Sequence, residues 1–227
     1  MKCFILEPNY GCDTHSGFAW SLAKDRDPSC MRDALWDPRE ETQYKVGGNT
    51  WSAAGPITAD SKAKIASLWI HASGSRKPLS KSHVIGDFIS TPMPHVVVDT
   101  TFVEAISKVD DNLFDFTPHK QVIDSKRQVK PWDGEHFIAT LLPMKPSYDL
   151  ELSDLKLASA VREKYLGKHA SIGARRVVAT SKMIDGFMWR DSYTRDVLCT
   201  QYALDFLKAL GVQEWKGREV EVIDDRN

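Results

Sequence analysis

The residues of this chain that could do chemistry fall into a few clusters, each implying a different reaction. Cys12, His15 and Cys30 offer thiolate and imidazole, the ligand types zinc prefers, but without the paired two-residue cysteine spacing of structural zinc sites, so no resident metal is expected. Asp133, Glu135 and His136 bring two carboxyls and an imidazole close together in sequence, the groups needed for general acid–base catalysis. Asp185, Arg190, Asp191, Arg195 and Asp196 form a second cluster beside Trp189. An active site would require one such group in a cleft with a shifted proton affinity, whereas mixed charges around an aromatic are more often a surface ion-pair network. His71, His83 and His95 recur every twelve residues, but no helix brings them together. The zinc-protease helix, the P-loop, the glycine-spaced dinucleotide fingerprint and the nucleophile elbow are absent, which leaves no support for a cofactor. Arg76, Lys77 and Lys81 around Pro78 could touch phosphate, yet without interleaved aromatics they are weak support for a nucleic-acid partner.

The elements that must position these groups are ordinary in composition. The chain has 227 residues, 42% hydrophobic and 27% charged, enough for a sizeable core. A formal net charge of −1 gives no global steering toward nucleic acid or anionic membrane. The opening run Met1–Pro8 is too short for a signal peptide, and no stretch approaches a membrane span. Four cysteines without framework spacing suit reduced thiols. Together these features predict a cytoplasmic protein without a membrane partner.

Cys3 to Leu6 reads as an opening strand, followed by a loop-rich stretch to about residue 60 punctuated by Pro28, Pro38, Gly47-Gly48 and isolated tryptophans. Residues 64–72 alternate as a strand, although Ser61-Lys62-Ala63 before them also permits a helix. His136 to Leu142 is apolar enough to be a strand buried on both faces. Ser153 is placed to cap a helix with Leu155, Ala158, Val161 and Tyr165 inward, and Arg176 to Thr180 reads as a strand. Residues 97–124 and 197–224 align without a gap at an offset of 100, each as strand, helix, break and strand, with identities at Val97/Val197, Thr100/Thr200 and the closing Val122-Ile123-Asp124/Val222-Ile223-Asp224. In this register Thr100-Thr101 and Thr200 supply the helix caps. The expected fold is one α+β domain over 1–227: a mixed or antiparallel sheet with helices packed on it, in two weakly related strand-helix-strand halves.

Gly86-Asp87-Phe88-Ile89, the run Pro94 to Ile106, Asp133 to Ile138 with the stop at Pro143, Phe187-Met188-Trp189-Arg190, and the helix ending at Leu210-Gly211 together resemble a family of bacterial immunity proteins, catalogued as immunity-protein family eleven. The resemblance covers residues 84–224. It divides the chain into a variable, loop-rich 1–85 and a family-like 86–227, and carries over no catalytic residue. It implies a protein that binds and neutralises a cognate secreted toxin, of the polymorphic or type VI class, rather than an enzyme. The alternative is a divergent enzyme using one of the Asp/Glu/His clusters. Protein interfaces draw affinity from a few aromatic and Arg anchors, so Trp36, Trp51, Arg76, Lys77, Trp132, Trp189 and Arg190 are the candidate partner contacts. The divergent stretch 7–60 is the candidate for toxin specificity.

Overall fold

A computed structural model describes residues 1–21, 59–86, 95–157, 169–171, 173–183, 186–194 and 196–225. In the first part of the chain these form β1 (Cys3–Pro8), β2 (Gly17–Ser21), α1 (Ala59–Ile65), β3 (Trp69–Ser73), β4 (Val84–Ile85), β5 (His95–Asp99), α2 (Thr100–Ser107), β6 (Phe114–His119), β7 (Val122–Asp124) and β8 (His136–Leu141). The second part supplies β9 (Met144–Lys145), β10 (Leu155–Leu157), β11 (His169–Ser171), β12 (Val177–Ala179), β13 (Met188–Asp191), β14 (Val197–Thr200), α3 (Gln201–Ala209) and β15 (Trp215–Ile223). Strand content dominates, so the expected α+β class holds only in the coarse sense of strands with few helices.

Two sheets carry the fold. One has six strands in the order β12-β15-β1-β14-β13-β9, the other four in the order β4-β5-β8-β6. A buried cluster joins their facing sides, with Phe4, Leu6, Val197 and Cys199 from the first and Val96, Val98, Ala139 and Leu141 from the second. Phe102 and Ile106 of α2 and Leu204 and Leu207 of α3 fill the same cluster. Each such side chain, taken fully from water, contributes about 1.5–3 kcal/mol. The outer face of the four-stranded sheet packs Ile85, Val97 and Ile138 against Ile70 and Val122 of a three-stranded sheet, β2-β3-β7. The outer face of the six-stranded sheet buries Ile5, Trp189 and Leu198 with Tyr148 and Leu155.

The halves suggested by the sequence repeat are related in topology. In the first, β5 enters α2 and β8 lies between β5 and β6; in the second, β14 enters α3 and β1 lies between β14 and β15. β4 pairs antiparallel with β5 as β13 does with β14. β7 pairs parallel with β3, and the end of β15 pairs parallel with β12. A short 3-10 turn precedes β4 at Leu79–Lys81 and β13 at Thr180–Lys182.

The register of the repeat differs from the sequence alignment. The Asp99 carboxylate caps α2 by accepting the Phe102 N–H, while the Thr200 hydroxyl caps α3 by accepting from Ala203. Asp99 and Thr200 are therefore equivalent, at an offset of 101. Side chains alternate across a sheet, so the slip decides which face a residue occupies. Val97 lies on the outer face and Val197 on the inner one, despite their identity at offset 100.

Two further expectations are corrected. The helix placed after Ser153 is absent at its start, because Leu155–Leu157 pairs antiparallel with β11 and the Ser153 hydroxyl serves the backbone of Val177. Ala158, Val161 and Tyr165 lie outside the described residues. Over 64–72 both readings apply in succession: α1 ends at Ile65, and β3 begins at Trp69. Residues 1–85 supply strands to three of the sheets, including the central β1, so they are integral to the framework.

Candidate functional site: a cationic cleft beside the first strand

The loop after β1, the turn after β3 and the segment before β15 meet around an open cleft of about 750 Å3. Gly11, Cys12, Asp13 and Thr14 form one wall, Lys77 and Lys81 another, and Asn9 and Gln213 close it. None of these segments has a hydrophobic period, so their shape comes from hydrogen bonds. The Asn9 N–H donates to the Glu214 carbonyl (2.7 Å) and the Asn9 amide to the Gln213 carbonyl (2.8 Å). The Arg76 and Lys77 N–H groups both donate to the Asp13 carbonyl, at 2.7 and 2.9 Å.

Two buried carboxylates anchor this arrangement. Glu214 is 1% exposed, accepts the Thr14 hydroxyl with one oxygen and the Gln213 N–H with the other (3.0 Å), and so holds the first loop against the end of β15. Asp124, also 1% exposed, accepts two backbone N–H groups of its own turn and pairs with Arg127 at 2.8 Å. The Arg127 guanidinium continues to the Ser75 hydroxyl and the Arg76 carbonyl, fixing the basic turn from behind.

The rim is cationic and aromatic. The side chains of Arg76 and Lys77 are 71% and 64% exposed. Lys77 reaches Asp13 at 2.8 Å; that hydrogen bond, then the charge of Lys77, and then Arg76 hold the Asp13 carboxyl below its usual range. The same contact raises the Lys77 ammonium. Lys81 has no carboxylate partner among the described residues. Tyr10, 64% exposed, stands edge-on to His15 with ring centroids 5.0 Å apart. The Cys12 thiol lies 3.1 Å from the Thr14 hydroxyl.

The cleft brings together two features read separately in the sequence, the Cys12/His15 segment and the Arg76/Lys77 turn. Cys30, Trp36 and Trp51 lie outside the described residues. Among the described residues no three His, Cys, Asp or Glu side chains are placed to share a metal.

The other candidates are framework. Trp189 is fully buried on β13, where its indole N–H donates to the Ser147 hydroxyl (2.7 Å) and the Lys145 ammonium lies 4.4 Å from its ring centroid. Trp132 is buried with its N–H on the Ser82 carbonyl, and Arg190 is 6% exposed, so none of the three is an exposed anchor. A sequence reading places these groups near loops; burial decides otherwise because each ring or guanidinium belongs to a strand or to a turn folded onto the core.

Asp133 and Glu135 are exposed on the turn entering β8, whereas His136 turns inward beneath Trp132, ring centroids 5.3 Å apart. The expected acid–base cluster is thus split between water and core. Burial lowers His136 to about 4, helped by the charge of Lys130, and its Nε2 has no hydrogen-bond partner among the described residues. Asp191 serves as a turn cap, accepting the N–H groups of Ser147, Tyr193 and Thr194, while Asp196 accepts the Tyr148 hydroxyl. Asp185 and Arg195 lie outside the described residues. His71, His83 and His95 serve separate partners, Ser125, Asp99 and Thr140.

The signal that could have located the cleft is a short repeat. Ser80-Lys81 and Ser181-Lys182 recur at offset 101, each within a 3-10 turn. Compared with known proteins, the chain matches no family model and no curated protein.

Proposed function

We propose that this chain is an immunity protein that binds a cognate secreted toxin of the polymorphic or type VI class and neutralises it by occlusion in the cytoplasm. Support comes from the resemblance carried by residues 84–224 and from how the chemistry is distributed. The observation that carries most weight is a cleft whose two walls are each fixed by a buried carboxylate: the Asn9–Thr14 loop, held by Glu214, presents the exposed Tyr10, and the facing turn, held by Asp124 through Arg127, presents Arg76 and Lys77. Rigid aromatic and basic side chains around a cleft are the groups from which protein interfaces draw affinity, and a preformed loop lowers the entropy lost on binding. No helix among the described residues is long and apolar enough to cross a membrane.

The test uses the toxin encoded beside this gene. Purified chain should form a stable stoichiometric complex with it, and co-expression should restore growth to cells producing it. A toxin that neither binds nor is neutralised sinks the reading.

A further inference from the structure

The two 3-10 turns occupy equivalent places in the two halves but differ in what covers them. Each follows a strand paired in parallel with the closing Val-Ile-Asp segment, and each leads into a short strand paired antiparallel with the strand that enters a helix. In the second half the acidic end of the chain lies on the turn. The Thr180 hydroxyl donates to the Ile223 carbonyl (2.7 Å) and to Asp224 (3.0 Å), and Ser181 gives both its N–H and its hydroxyl to the Asp225 carboxylate.

In the first half β3 does not run directly into its turn. Gly74–Pro78 intervene, carrying Arg76 and Lys77, and Asp124, the counterpart of Asp224, is held by Arg127 instead. No acidic segment among the described residues lies on the Leu79–Lys81 turn. Ser80 and its counterpart Ser181 are both exposed, but Leu79 stands where Thr180 offers its hydroxyl, and Lys81 opens onto the cleft. Lys77 lines the same wall, and Asp13 offsets part of the local positive charge.

We propose that this cleft is the docking site for an acidic segment of the partner protein, one carboxylate of which lies at Ser80 beside the first turn as Asp225 lies at Ser181 on the second. Carboxylates of that segment take Lys81 and the exposed Arg76 and Lys77, and Tyr10 covers the segment from the rim. The inference rests on the immunity reading for the partner's identity, whereas the preference for carboxylates follows from the charge of Lys81, Lys77 and Arg76, with the Ser181–Asp225 contact as a precedent at Ser80.

The test is made on the full chain by following backbone amide resonances during titration with a blocked hexa-aspartate peptide. Saturable shifts are expected at Gly11–Thr14, Lys77, Lys81 and Gln213. Lys81→Glu should weaken the binding about tenfold. Lys2→Glu, at the far end of β1, should leave it unchanged. The inference is overturned if these amides do not respond, if Lys2→Glu matches Lys81→Glu, or if inorganic phosphate or a short single-stranded RNA shifts the same amides as strongly. A parallel measurement with the neighbouring toxin separates the two proposals. A toxin that binds Lys81→Glu as tightly as wild type removes this site and leaves the immunity reading. Peptide binding at the cleft alongside a toxin that neither binds nor is neutralised does the reverse.

Discussion

The two 3-10 turns make the most instructive comparison in the molecule. The turn at Thr180–Lys182 follows β12 without interruption and is covered by Asp224 and Asp225; the turn at Leu79–Lys81 is separated from β3 by a basic segment and borders an open cleft. Both turns expose their Ser and Lys, so the same unit differs in what it contacts: the chain's own carboxylates in one half, an open cleft in the other. The difference lies in a few residues of connection, while the strands and helix around each turn keep their pairing. Elaborating a loop costs a sheet little, since loop-closure entropy grows slowly with length.

The comparison can be broken most forcefully on the closed side. Trp189→Ala should lower unfolding free energy by about 3–5 kcal/mol, because it empties a fully buried site and removes the indole hydrogen bond to the Ser147 hydroxyl. Denaturant titration measures this, and a loss under 1 kcal/mol would contradict the packing described. Next comes the link between framework and rim. Arg127→Met leaves the buried Asp124 carboxylate without its ion pair and releases the Ser75 and Arg76 contacts, so a loss of about 2–3 kcal/mol is expected. Amide exchange over Ser75–Lys77 should rise along with it.

Acid should act on the framework as well. Burial lowers His95 to about 3, with a smaller contribution from the charge of Arg190, and lowers His136 to about 4. Both values lie below the ordinary 6.5, so the unfolded chain takes up protons first as pH falls. Stability contributed by these neutral imidazoles is present above pH 6.5 and is lost below it. Between pH 7 and pH 5 the loss should be about 1–2 kcal/mol for each of the two. His136→Phe keeps a ring beneath Trp132, removes the unpartnered nitrogen and should flatten the slope by one histidine's share; an unchanged slope would show that His136 is not a source. The smallest expected effect on stability is at the rim. Tyr10→Ala should change stability by no more than about 0.5 kcal/mol, yet weaken toxin binding about tenfold or more.

Much of the framework was legible in the residues, and for identifiable reasons. β1, β5, β8 and β12 are short apolar runs bounded by breakers, and the helix stripes follow a regular period. The repeat is visible too, but over the strand and helix cap its register slips by one residue, because identity at Thr100/Thr200 outweighs the capping chemistry of Asp99. Ser153 looked like a helix cap because a hydroxyl before an apolar period serves a β-turn equally well, and only the pairing with β11 distinguishes them. The site was harder to read. Trp132, Trp189 and Arg190 have the composition of interface anchors, and nothing local marks them as buried. The cleft draws on segments around residues 9–14, 77–81 and 213, whose meeting depends on β1 lying between β14 and β15.

That placement of β1 sets the order in which the molecule can be assembled. Every strand of the four-stranded sheet lies between residues 84 and 141, so the first unit needs only a continuous stretch of chain. The second unit has its middle strand at the opposite end of the sequence, with Cys3 facing Thr200 on one side and Val220 on the other. Such distant pairings form late, because closure entropy is spent before the contacts reward it. A growing polypeptide would thus carry Arg76, Lys77 and Lys81 on an early-formed unit, while the opposing wall at Asn9–Thr14 and Gln213 waits for β15. Capture of a ligand in the cleft would accordingly report a chain made through β15, and a chain truncated before Trp215 should present the cations without the pocket.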